Sequence, residues 1–358
     1  MALSNTSHNL TEPHSTEQQT PGIKRVLPSL SLDETIEQIM GGFGWSQFLQ
    51  AILVSVPTFF DAQQTFISIY TDAEPKWHFN FSTTCNRCQI SKSDWSWPSW
   101  DESSQKTIIS DWGLECASSF MIGLHASSFF IGSLIGGFTL AMLGDIFLGG
   151  NVNPYKLMKE LFKRRWDLQR VLASMVLGFG IGVAFFGMLF GVQNLGYNIY
   201  LSVIFNGSLL LPSNSIPLFF IARWKRKISL FAFCIISGIC SILCAIVGRR
   251  REGIQIGLEL ASLFFSCLGY NLLLIFTIEL FPTVRNTAST LARQAVVFGS
   301  ALDPILTSAG RRNEFLSFGI FGLSILLCGF IVIVLPETKG KNLCNTMDEQ
   351  EQKESTTV

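Results

Sequence analysis

RVLASMVLGFGIGVAFFGMLFGVQN, residues 170–194, runs from its opening arginine to its end without another charged side chain. A backbone crossing hydrocarbon must bond its own N–H and C=O groups, and a helix needs about 20 apolar residues to do so. The stretch passes that test. Seven further windows pass it too, at residues 48–70, 119–143, 198–221, 228–247, 254–280, 290–310 and 315–335. One such window is compatible with a buried helix of a water-soluble protein; eight in one chain are not. The expected fold is all-α and integral to a membrane, with about eight spans.

Composition agrees. Hydrophobic residues make up 48% of the 358 and charged residues 15%, with 31 Phe. A water-facing surface ordinarily needs about 25% charge, so much of this surface need not face water. Net charge is zero, which removes the global field expected of a nucleic-acid binder. The polar segment 1–46 has no short apolar core followed by a small-residue cleavage site, so the first span is expected to serve as the insertion signal.

Position of charge sets orientation. Lys156, Lys159, Lys163, Arg164, Arg165 and Arg170 lie between the second and third spans, and Arg223, Lys225, Arg226 and Lys227 between the fourth and fifth. Both loops are expected in the cytoplasm. The expected layout is a cytoplasmic tail 1–46, two spans within 47–143 separated by an outer loop 71–118, a cytoplasmic loop 144–169, a six-helix bundle 170–336 and a cytoplasmic tail 337–358. Arg249, Arg250 and Arg251, with Arg311 and Arg312, fall on the outer face in this scheme. Either a span is misassigned or these arginines meet acidic groups there.

The outer loop holds Cys85, Cys88 and Cys116, where an oxidising compartment permits a disulfide, and no second pair completes a zinc site. It also holds the sequon Asn80, Phe81, Ser82, open to glycosylation. Glycines recur at helical spacing in the spans, at Gly132 and Gly136, Gly178 and Gly182, and Gly187 and Gly191. Small faces of this kind let helices approach closely in lipid.

Ionisable and amide side chains at membrane depth are costly and usually face a partner or a watery cavity. Asp61, Gln63 and Gln64 lie in the middle of the first span, His125 in the second, Asn206 in the fourth, Glu259, Asn271 and Glu279 in the sixth, and Arg293, Gln294 and Asp303 in the seventh. Asp61 either titrates or balances a cation in a path, or it makes a structural hydrogen bond to a neighbouring helix. Glu259 and Asp303 are expected near helix ends, solvated. No phosphate loop, paired histidines or nucleophile with a nearby base is present in the sequence, so no enzyme activity and no cofactor are expected.

Three stretches stand in a telling order: Phe60, Asp61, Ala62, Gln63, Gln64, Thr65, Phe66; then Glu279, Leu280, Phe281, Pro282, Thr283, Val284, Arg285, Asn286; then Leu335, Pro336, Glu337, Thr338, Lys339, Gly340. Together they resemble the plant organic cation/carnitine transporters of the major facilitator superfamily. The resemblance implies a helical bundle in two halves that rock about a central path for a small organic cation or zwitterion, driven by a proton or another ion. It places Asp61, Gln63, Gln64, Asn206, Asn271 and Gln294 along the substrate or proton path. Asp145, Glu279, Arg285, Arg293 and Glu337 become the cytoplasmic gate, with Glu279 facing Arg285. The membrane would be the plasma or the vacuolar membrane.

The chain departs from that family in one large way. Its first two spans resemble helices one and two, and the other six resemble helices seven to twelve, so helices three to six are missing from a truncated first half. Asp145 and Gly149 match the family's loop after helix two, Gly150 stands where an arginine belongs, and from Asn151 the text resembles the end of the central loop. Two expectations follow. The chain transports, or it is a non-transporting form that associates with full-length relatives or is degraded.

Overall fold

The computed structural model describes residues 45–73, 78–79, 95–96, 107–114, 116–148, 165–195, 197–220, 225–281, 285–311 and 314–337. Helix α1 is Trp45–Thr71. Its first turns, up to Ile52, form a compact unit distinct from residues 53–358, and in them the Trp45 and Phe48 rings lie 5.4 Å apart. Residues 78–79 and 95–96 form strands β1 and β2, a two-residue antiparallel ladder pairing His78 with Ser96 and Phe79 with Trp95. A single-turn helix, α2 (Ile108–Asp111), follows, held by reciprocal bonds between Thr107 and Ser110.

The remaining helices are α3 (Ser119–Leu148), α4 (Arg165–Gly191), α5 (Ile199–Phe220), α6 (Arg226–Val247), α7 (Glu252–Leu280), α8 (Arg285–Ser300), α9 (Asp303–Gly310) and α10 (Glu314–Gly329). All eight expected windows fall on helix. Among the described residues six helices, α3 to α7 and α10 with its following turn, are both long and apolar enough to cross a membrane. The 27-residue α1 is long enough, and Asp61, Gln63 and Gln64 break up its apolar run. The window at 290–310 is not one helix but two, α8 and α9, parted at Ala301 and Leu302. Pro304 accounts for the break, because it lacks the N–H that would bond back one turn and disfavours helical backbone at the residue before it.

Helix α4 is the hub, packed against α7, α8 and α10. Its glycines make that possible. A Cβ at Gly182 would collide with the Val296 carbonyl of α8, and one at Gly187 with the Phe321 ring of α10. The expected close approach holds for Gly178, Gly182, Gly187 and Gly191. It does not hold for Gly132 and Gly136 on α3, where an added Cβ meets nothing within 4 Å. Among the described residues no helix faces that side of α3; its contacts run instead through Gly123, which touches the backbone of Pro304 and Ile305, and Gly137, which touches Gln294. Between α6 and α7 the seam is polar: the Ser237 hydroxyl lies 2.6 Å from that of Ser266 and donates to the Ser262 carbonyl at 3.1 Å. In a medium without water these hydroxyls have to find one another.

Hydrogen bonds and ring contacts sort the helix ends. The end of α1, the residues after α4, the start of α5, the end of α9 and the start of α10 meet at one end: Arg311 bonds Asp72 and Gln193, Tyr70 stacks on Tyr200, and Asn194 reaches Thr307 and Ser317. The start of α6, the end of α7 and the turn after α10 meet at the other, through Arg226, Glu279, Lys227 and Ile333.

Candidate functional site

At the Asp72 end, the chain leaving α1 brings a carboxylate into a crevice walled by Ile122, Gly123, Pro304, Thr307 and Arg311. Nδ1 of His125, one turn and a half into α3, stands 3.2 Å from Asp72 Oδ1. The Arg311 guanidinium donates to the Asp72 carbonyl at 2.6 Å and to Gln193 Oε1 at 3.2 Å. Trp112 lies edge-on to the His125 ring, 6.0 Å away. Burial lifts the Asp72 carboxyl above the ordinary carboxylate range, although the charges of His125 and Arg311 pull it down. This cluster ties α1 and α3 to α4 and α9. Arg311 thus bonds the backbone of an acidic residue and lies close enough for its charge to act on the Asp72 carboxyl. Arg251, exposed in the turn after α6, sits at the same end.

At the opposite end Arg226, the first residue of α6, is 9% exposed and grips Glu279. Its Nη2 lies 3.0 Å from Oε1, while Nε lies 3.2 and 3.3 Å from the two carboxylate oxygens. Lys227 donates its ammonium to the Ile333 carbonyl at 2.7 Å, and its backbone N–H reaches Glu337 at 3.5 Å. Arg226 and Lys227 were read in the sequence only as loop charges; their place as the first residues of a helix antiparallel to α7 is what puts them beside Glu279. Of the expected gate, Glu279 therefore meets the Arg226 charge and Glu337 the Lys227 backbone, both at the start of α6. The side chains of Asp145 and Arg285 lie outside the described residues, and Arg293 is exposed on α8.

The described residues expected along a path separate into four places. Asn206 on α5 and Glu259 on α7 are joined at 3.1 Å, both fully buried. Two to three turns further toward the other end, the Asn271 amide donates to Asn214 Oδ1 at 2.8 Å, and the Cys267 thiol reaches the same oxygen at 3.4 Å. Gln294 on α8 is buried against Gly137 of α3. Gln63 and Gln64 are exposed on α1, and the Asp61 side chain lies outside the described residues. Glu259 and Asp303 correct the expectation of solvated helix ends: each is 0% exposed. Nearness to a helix terminus does not bring water when flanking helices cover it: α5 and α6 pack on α7, and α3, α4 and α10 pack on α9, which Asp303 begins.

Cys116 is disulfide-bonded; Cys85, Cys88 and the sequon at Asn80 lie outside the described residues. Cys234, Cys240, Cys244, Cys267 and Cys328 are free thiols within the helices.

No family model matches the chain. Among curated proteins it is similar to organic cation/carnitine transporter 3 of Arabidopsis thaliana, 33% identical over 492 aligned positions that take in 91% of this chain and 94% of that protein. Organic cation/carnitine transporter 2 of the same plant is also 33% identical, over 90% of this chain and 94% of that protein. Solute carrier family 22 member 12 of Mus musculus is 32% identical over half of this chain and a third of its own length. An alignment of 492 positions is longer than the 358 residues here, so a large block inside each plant relative has no counterpart in this chain.

Proposed function

The chain belongs to the organic cation/carnitine transporter family, and from that membership we propose that it carries a small organic cation or a zwitterion such as carnitine across a plasma or vacuolar membrane, coupled to a proton or another ion. The observation that carries the reading is identity at the level of one residue in three over nine-tenths of the chain. The geometry supports it: polar groups at membrane depth lie on the α5–α7 seam and beneath α3, an ion pair fastens one end of the bundle, and hydrogen bonds from Arg311 fasten the other. Substrate would pass between α1 and α3 on one side and the later helices, α4 to α10, on the other. The Asp72–Arg311 link joins those two parts, so it has to open once per cycle. Arg226 and Glu279 brace α6 against α7 within the later part of the bundle, and Glu279 is proposed to form the cytoplasmic gate with Asp145, Arg285, Arg293 and Glu337.

Purified chain in proteoliposomes is expected to take up labelled tetraethylammonium or carnitine down an imposed ion gradient, and Asp61→Asn to lower that uptake. Native chain that is folded and takes up neither compound overturns the reading.

A second reading rests on the block that this chain lacks. If helices three to six are missing at the seam after Gly149, one wall of the path is open, and the chain acts by pairing with a full-length relative. Co-purification of a full-length transporter with tagged chain from membranes, together with loss of uptake by the chain alone, is the outcome that would favour it.

A further inference from the structure

Glu259 is fully buried in α7, and only one of its two carboxylate oxygens has a donor: Oε1 accepts from Asn206 Nδ2 at 3.1 Å, while Oε2 has no partner. The amide that supplies the donor is itself fully buried, and its own Oδ1 is left without a partner. Two acceptor oxygens thus stand beside one bonded pair, with no donor to satisfy them. A buried acceptor left unmet costs about 1–3 kcal/mol, and a bare buried carboxylate more.

Among the described residues the surroundings offer no compensating cation. On α5 the nearest titratable group is Tyr200, more than a turn away and half exposed. On α6 it is the Cys244 thiol, which donates to the Gln255 carbonyl at 3.6 Å. The basic residues of the helices packed on α7 stand elsewhere: Arg170 on α4 and Arg226 and Lys227 on α6 belong to the other end, Arg293 is exposed on α8, and Arg251 precedes α7 by two turns of sequence from Glu259. Glu252 is exposed in the first turn of α7.

We propose that Glu259 and Asn206 form a proton-binding site inside the six-helix bundle, in which one proton on Oε2 supplies the missing donor and neutralises the carboxylate. A proton fits where a metal ion does not. A hard cation such as calcium takes six or more oxygens, whereas this site presents two, and no group of three metal-binding side chains gathers among the described residues. The proton is bound and released without any other bond being made or broken. If the chain is the coupled carrier proposed above, this is the place where a driving proton resides, and both of its residues stand on helices that this chain retains.

The test is infrared difference spectroscopy on the full chain in lipid, which reads the protonated-carboxyl C=O band directly and needs no transport. Native chain is expected to show a band that Glu259→Gln removes and that Asn206→Ala shifts in frequency, because Asn206 bonds the same carboxyl. A band unchanged in both variants overturns the proposal, and so does a band that sodium or potassium abolishes at constant pH, since the occupant is then a metal cation. Glu259→Gln keeps the size of the side chain; if it fails to fold, the shift in Asn206→Ala alone decides. In proteoliposomes, Glu259→Gln is expected to lose proton-gradient stimulation while retaining substrate exchange. Absence of all uptake, with the infrared band intact, refutes the transport reading and leaves the proton site standing.

Discussion

Asp72 joins a charge, a histidine and an arginine at the point where α1 ends, and its ionisation can be read as stability. Burial raises its carboxyl, against the opposing pull of His125 and Arg311. A carboxyl raised in the folded state favours folding while it holds its proton, below its unfolded value, and that contribution is lost as pH climbs through the folded value. Asp72→Asn stays neutral, so its melting temperature in detergent is expected to exceed that of native chain by a wider margin near neutral pH than below about pH 4, where both are uncharged. An equal margin at both would show that the ionised form is fully compensated. Asp72 was not singled out in the sequence because it sits just beyond a span and looks solvated. Its neighbours His125, Gln193 and Arg311 come from three other parts of the chain, and only packing brings them together.

At the scale of the helix, glycine spacing gave a correct contact on α4 and a false one on α3. The two motifs look alike along the chain; they differ in what faces them. Gly182→Ala would press a methyl into the Val296 carbonyl and is expected to cost about 1–3 kcal/mol, the usual range for overpacking, whereas Gly132→Ala should leave the melting temperature unchanged. A melting temperature lowered equally by both would remove the distinction. The Arg226–Glu279 pair belongs to the same scale, because it clamps the antiparallel pair α6 and α7. Arg226→Ala leaves Glu279, about a quarter exposed, without its partner, and a loss of roughly 3 kcal/mol is expected, the low end for breaking a buried ion pair. Reversing both charges, Arg226→Glu with Glu279→Arg, should recover part of it. The break in the seventh span shows how a window test fails: residues 290–310 are apolar enough on average, but Pro304 stops the backbone from bonding across them.

For the whole molecule, the link between Asp72 and Arg311 tests whether the two parts of the bundle move apart. Asp72→Cys and Arg311→Cys, joined by a short bifunctional thiol reagent, are expected to halt uptake, and uptake that continues after bridging would mean that this end does not open. What the sequence determined by itself is the membrane, the helices and the family. Hydrophobic length is a property of consecutive residues, because each transmembrane backbone bonds within its own segment, and the motifs from Phe60, Glu279 and Leu335 are local strings. What only the tertiary structure decided is partnership: that Glu279 is held by Arg226, that Arg311 meets Asp72, and that Glu259 is sealed in with Asn206 53 residues away. Electrostatics and burial depend on distance in space, and in a bundle of antiparallel helices that distance is set by which faces pack, a quantity no single stretch of sequence contains.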